Sequence, residues 1–169
     1  HRKYHGRTHL LAVLEALHRL TAPERPPRTV LLAAWFHDAV YLGIAGEDEE
    51  ASARLAEERL EDAGLPAAET EEVARLVRMT ADHRPGPDDW PAALLSDADL
   101  SVLGGEPAAY ARYLAAVRQD FAHIGDADFA AGRAAVVRQL LELDPLFHTA
   151  RGRELWEDSA RRNLQAELA

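Results

Sequence analysis

Apolar side chains recur at three- and four-residue spacing along almost the whole chain, the pattern of helices that each bury one stripe. The first segment runs from about His5 to Leu20, with Leu10, Val13, Leu14 and Leu17 on one stripe, and Pro23, Pro26 and Pro27 break it. A second, roughly Arg28 to Val40, is apolar on most sides and reads as a buried central helix. A glycine-containing loop, Leu42 to Gly46, follows it. The third spans about Asp48 to Ala63, opens on an acidic turn that suits the helix dipole, and stops at Gly64-Leu65-Pro66. A fourth starts near Ala67, carries Val73, Leu76, Val77 and Thr80, and ends before Arg84-Pro85-Gly86-Pro87. Trp90 to Leu103 forms a short helix stopped by Gly104-Gly105. Pro107 to Phe121, Asp128 to Leu143 and Arg153 to Leu168 complete the set. With no alternating strand pattern, internal repeat, low-complexity tract or linker, the expectation is one all-α, multi-helix bundle over residues 1–169.

Composition narrows the chemistry. A chain of 169 residues can bury a substantial core without covalent staples. It holds no cysteine, so disulfides and thiolate metal sites are excluded and any metal must take nitrogen and oxygen ligands. No apolar run approaches the roughly 20 residues that cross a bilayer, and no signal-like segment opens the chain, so a cytoplasmic protein with no membrane partner is expected. The net charge of -10, from 29 acidic and 19 basic residues, argues against a nucleic-acid partner. A small anionic ligand remains open, because a metal ion and a few arginines make a locally positive pocket. The chain begins at His1 rather than methionine, and residues are expected to precede it.

The chemistry concentrates around His37-Asp38. This pair ends the apolar stretch from Val30 to Phe36, where unpaired polar groups cost several kcal/mol unless they face a common partner. Upstream, His5 and His9 stand one helical turn apart and can look into the same cleft. Downstream, Asp97 and Asp99 offer further carboxylates. Adjacent side chains such as His37 and Asp38 cannot share a helix face, but near a helix terminus they can splay around one ion. Ordered histidine, histidine-aspartate and aspartate on separate helices make a divalent-metal site, with Mn, Fe, Co, Ni, Mg or Zn as the cofactor.

That order resembles the HD superfamily of metal-dependent phosphohydrolases. More narrowly, the chain is similar to a little-characterised bacterial subgroup of predicted HD phosphohydrolases. The matching stretches are His1 to His5, Phe36 to Tyr41, Glu49 to Ala53, Thr80 to His83, Asp97 to Ser101 and Ala160 to Leu164. The resemblance implies an HD-type helical fold and His5, His37, Asp38 and Asp99 as metal ligands. Asp97 stays an alternative to Asp99, or a partner orienting a ligand histidine. It further implies hydrolysis of a phosphate mono- or diester of a small molecule, with a nucleotide as the expected substrate. A divalent ion brings its bound water toward neutral pKa and polarises phosphorus. Asp38 would then hold the water, and Glu49 or Glu50 would serve as general acid or base. His83 would meet the phosphate or a second ion. Arg7, Arg118 and Arg161 would grip phosphate, with His9 beside them in the substrate pocket.

Plainer roles compete for several of these residues. His5 and His9 could simply pack, and Asp38 and Asp97 could cap helices. Glu47 to Glu50 could be a solvated helix start, His83 a helix-terminal histidine, and Arg161 and Asn163 anchors for the last helix. Two functional rivals also stand: a metal-stabilised nucleotide-sensing module without turnover, and a di-metal HD-type oxygenase, which would need His9 and His83 as extra ligands. Guanosine-tetraphosphate hydrolysis is disfavoured because Val40-Tyr41-Leu42 replaces the His-Asp-x-x-Glu-Asp element that goes with it. Homo-oligomerisation is left open.

Overall fold

Proline and glycine set most of the helix ends. The computed structural model describes residues 6–44 and 46–169, and among these it is an all-α bundle. The helices are α1 (Arg7–Thr21), α2 (Arg28–Phe36), α3 (Glu47–Asp62), α4 (Ala67–Met79), α5 (Trp90–Leu100), α6 (Pro107–Asp120) and α7 (Asp126–Glu142). A single 3₁₀ turn, Ser101–Gly104, continues α5. The last helix, α8, joins Ala150–Gly152, a π turn at Arg153–Glu157, and Asp158–Glu167. No described helix is long and apolar enough to cross a membrane.

Local chemistry explains the ends. Asp89 caps α5 by accepting the Ala92 amide, with Pro91 in the first turn, where its missing N–H costs nothing. Thr149 caps α8 through the Gly152 amide, so that helix starts at Ala150, ahead of the expected Arg153. Four acidic residues, Glu47 to Glu50, open α3 against its positive dipole end. The α2 helix stops at Phe36, short of the expected Val40. Ser52 on α3 accepts the Val40 amide and donates back to the Val40 carbonyl, holding the chain in a turn there.

The core is continuous from Val13 and Leu17 on α1 through Val30 on α2 and Val73, Leu76 and Val77 on α4 to Leu94 and Leu95 on α5. Leu146, Phe147, Trp156 and Leu164 extend it under α8. Helix α2 packs against α1, α3, α4 and α5, as a central helix should. It is not buried all round: Val30, Ala33 and Ala34 are inside, whereas Trp35 is 61% exposed.

One polar anchor ties the last helix to this core. Asp97 on α5 is fully buried and accepts hydrogen bonds from the His148 amide, the Thr149 amide and the Thr149 hydroxyl. Gly152 lies so close that a Cβ there would stand 2.2 Å from the Asp97 Oδ2. Because Asp97 is held by three bonds, it cannot step aside. Gly152→Ala is therefore expected to cost about 2–3 kcal/mol in urea unfolding. Gly132→Ala on α7, where a Cβ meets nothing within 4 Å, is expected to gain about 0.5–1 kcal/mol from helix propensity.

Candidate metal centre

The end of α2 aims two adjacent polar side chains at one point. His37 is the last residue held by a helical bond, its amide donating to Ala33, and the chain then turns through Asp38 with Ala39 N–H on the Phe36 carbonyl. The His37 Nδ1 lies 2.8 Å from the Ala34 carbonyl, one of the last-turn acceptors a helix end leaves open. That bond puts the proton on Nδ1 and turns Nε2 inward, the outer support that metal-binding histidines use.

Four side chains from three helices meet at that point. The His9 Nε2, from α1, is 3.1 Å from the His37 Nε2, 3.1 Å from the Asp99 Oδ1 and 3.4 Å from the Asp38 Oδ2. The His37 Nε2 is 3.3 Å from the Asp38 Oδ2 and 3.6 Å from the Asp99 Oδ1. Ligand atoms about 2.1 Å from a divalent ion stand about 3.0 Å apart at octahedral angles and about 3.4 Å apart at tetrahedral angles. Four of the five separations fall in that range and the fifth, His37 to Asp99 at 3.6 Å, is slightly wider; His9, His37 and Asp99 form a group that could hold a metal ion. Asp38 converges on the same place.

The electrostatics agree. Burial alone would drive the His37 imidazole down, but the Asp99 and Asp38 carboxylates outweigh it and raise it to about 9. Burial alone would push Asp99 up, yet His37 and His9 hold it well below the ordinary carboxylate range. Asp38 is likewise lowered, burial being overcome by its bond to His37. The cluster is thus charged and proton-bridged, a state in which a cation can replace the proton.

The expected site residues fall out unevenly. His5 lies outside the described residues, and His9, one turn on, stands with the ligand group rather than on a substrate wall. Asp97 and Asp99 are two apart, about 200° around α5, so only Asp99 faces the cluster. Asp97 does not orient a ligand histidine; its carboxylate is taken up by His148 and Thr149. His83, just past α4, is near the centre, with its Nε2 3.7 Å from the Asp99 Oδ2 and its Nδ1 3.3 Å from the Ser96 hydroxyl. Burial lowers its pKa, so it is a neutral acceptor at pH 7. Its φ of 54° lies in the left-handed region that disfavours a branched side chain. Glu49 lines the cavity above the cluster and accepts the Gly46 amide, whereas Glu50 turns away to Arg78 and Arg54, which bring it down to about 2.

The three arginines divide. Arg7 lines a small cavity of about 130 Å³ that reaches His9, His37 and Asp38 from the Trp35 side. Arg118 is not brought to the site: its guanidinium bonds the Phe121 and Ile124 carbonyls and Asp126, closing the connection from α6 to α7. Arg161 is not there either, being held by Glu157 and the Leu143 carbonyl. Charged groups on these helices satisfy one another before they reach a ligand.

Above the cluster opens a cavity of about 740 Å³. Its walls include groups that carried no functional signal in the sequence. Asp48 is buried and its Oδ2 accepts the amides of Leu42, Gly43 and Ile44 at 2.7–2.9 Å, curling that loop over the mouth. Gly43 permits the curl, with φ 82° and the Phe121 ring 3.0 Å from where a Cβ would be. The nearby glycines were the one available hint. His123, unassigned in the sequence, also lines the cavity, and the His148 Nε2 donates to the His83 carbonyl.

In comparisons with known proteins, no protein-family model, curated protein or solved structure matches this chain. The described residues form a helical bundle compatible with an HD-type fold, in which a His/His/Asp group could hold a metal ion.

Two consequences are measurable. At pH 7 the His37 ring holds a proton that a divalent ion must displace, so metal titration calorimetry in buffers of different ionisation enthalpy should report release of about one proton. Asp99→Asn should abolish both binding and release. In metal-free protein, the raised His37 pKa contributes stability that is complete below the unfolded value of 6.5 and lost as pH rises through about 9. Denaturation stability should accordingly fall by roughly 3 kcal/mol across that window. Saturating divalent ion should remove the decline.

Proposed function

We propose that this chain is an HD-type, divalent-metal-dependent hydrolase of phosphate mono- or diesters of small molecules, nucleotides included. The observation that carries the reading is the convergence of His9, His37, Asp38 and Asp99 at the floor of a ligand-sized cavity. Such cavities, with a few polar groups meeting in an otherwise apolar pocket, are the usual form of a small-molecule site. A divalent ion, when bound there, supplies Lewis acidity toward a phosphoryl oxygen and makes water nucleophilic near pH 7.

The remaining work falls to the chain's own groups. Asp38, kept ionised beside His37, would accept a hydrogen bond from the water and orient it. His83, neutral at pH 7, accepts a hydrogen bond or a proton from the reacting side. Glu49 lines the same space from the start of α3 and would relay the proton given up by the water to the departing alkoxide. Arg7 lines the smaller cavity on the Trp35 side of His37 and Asp38, and from there would add only longer-range positive charge to the site.

Metal-loaded protein should release phosphate from phosphate monoesters, or an alcohol from diesters, in a chelator-sensitive manner. Asp38→Asn and His37→Ala should each lower kcat/KM by at least about 10²-fold. Stoichiometric metal uptake with no phosphate released from any monoester and no alcohol released from any diester would end the proposal. His83→Asn separates chemistry from folding: asparagine tolerates the left-handed backbone and keeps a polar side chain there, so stability should fall by no more than about 1 kcal/mol. Turnover in the same variant should fall by about 10- to 100-fold.

A further inference from the structure

The cavity above the cluster is built for something other than charge. Beyond the ligand residues much of its wall comes from α6, α7 and the turn between them, with Tyr113, Val117, Phe121, Phe129, Val136 and Leu140 lining the same space. At the mouth stand Leu42, 75% exposed, Ile44, 46%, and Val136, 43%, apolar groups that no described residue buries. Apolar groups gathered at the mouth of a cavity suit a ligand of matching chemistry.

The charges on the same walls point the same way. Among the described residues, the lining guanidinium is Arg133, and it is spent: its Nε and Nη2 hold the Glu167 carboxylate at 2.7 and 3.1 Å, and its Nη1 bonds the Tyr113 hydroxyl. Against it stand Asp38, Asp48, Glu49, Asp99 and Asp128. One divalent ion facing Asp38 and Asp99 is already neutralised. A single phosphate can be accommodated beside it, but the three or four charges of a polyphosphate would meet carboxylates and hydrocarbon, at a cost of several kcal/mol when desolvated.

Resting on the hydrolase reading above, we propose that the substrate is the phosphate monoester of a hydrophobic alcohol, a hydrocarbon chain or ring without a second phosphate. The phosphate sits at the His9–His37–Asp38–Asp99 end and the apolar part fills the groove between α6 and α7. In the reaction a water oxygen forms the new bond to phosphorus as the bond from phosphorus to the ester oxygen breaks. The proton given up by the water ends on the departing alcohol oxygen. The products are inorganic phosphate and the free alcohol.

The test is a series of n-alkyl phosphates, from ethyl to decyl below their micellar concentrations, set against adenosine monophosphate and triphosphate. Each is titrated by calorimetry into metal-loaded protein, and phosphate release is followed in parallel. The expected result is a Kd that tightens about threefold to fourfold per methylene until the groove is full. Decyl phosphate should bind at least 100-fold more tightly than adenosine triphosphate. Gly132→Leu, on α7 where an added side chain meets open space, puts a side chain into the groove and should flatten the slope for the longer esters. Val136→Glu, at an exposed mouth position, should do so without touching the core. A Kd independent of chain length, tighter binding of the triphosphate, or slopes unchanged in both variants overturns the proposal while any phosphate release leaves the hydrolase standing. Chain-length-dependent binding without phosphate released from any ester does the reverse, refuting hydrolysis and supporting the apolar groove.

Discussion

Two carboxylates and two imidazoles share one small volume at the floor of the cavity, and their mutual charge compensation is the constraint on which the rest of the structure depends. Buried separately, each group would be costly. Together, Asp99 and Asp38 hold His37 protonated, and the imidazoles hold the carboxylates ionised. The arrangement is stable with a proton in it, and better matched by a divalent ion whose preferred ligand spacing it already has. Neither state is available unless α1, the end of α2 and α5 are fixed against one another to within a few tenths of an ångström.

The bundle provides that fixing through bonds outside the cluster. The Ala34 carbonyl sets the His37 ring, Ser52 arrests the backbone after α2, and Asp97 locks α5 from its opposite side to the segment leading into α8. Asp48 serves the cavity rather than the ligands, gathering three amides so that the loop after α2 lies over the opening. The polar residues most deeply buried in this protein are therefore positioning groups as often as chemical ones.

Helix periodicity made the architecture legible, because each segment buries a single stripe and proline or glycine marks most ends. The His37-Asp38 pair was legible for the opposite reason, as polar residues where an apolar run had no use for them. What could not be seen was phase. His5 and His9 are four positions apart in the sequence, and the placement of His9 beside His37 depends on how α1 rotates against α2, which a linear pattern does not encode. Arginines were opaque because Arg118 and Arg161 find partners within their own elements or the adjoining turns. The apolar positions of α6 and α7 were opaque too, since a stripe covered by another helix and a stripe left open to a ligand have the same spacing. Asp97 and Asp99 differ only by the side of α5 they occupy.

That last pair has a consequence for how the protein comes into being. One turn of α5 presents a ligand on one side and the clamp for residues 148 and 149 on the other. All four converging groups have been synthesised by residue 99, yet the helix that carries Asp99 gains its clamp only when a stretch some fifty positions later emerges from the ribosome. The setting of Asp99 is thus tied to synthesis of residues 148 and 149: a nascent fragment that already contains every converging group would still lack the strut that holds the last of them in place.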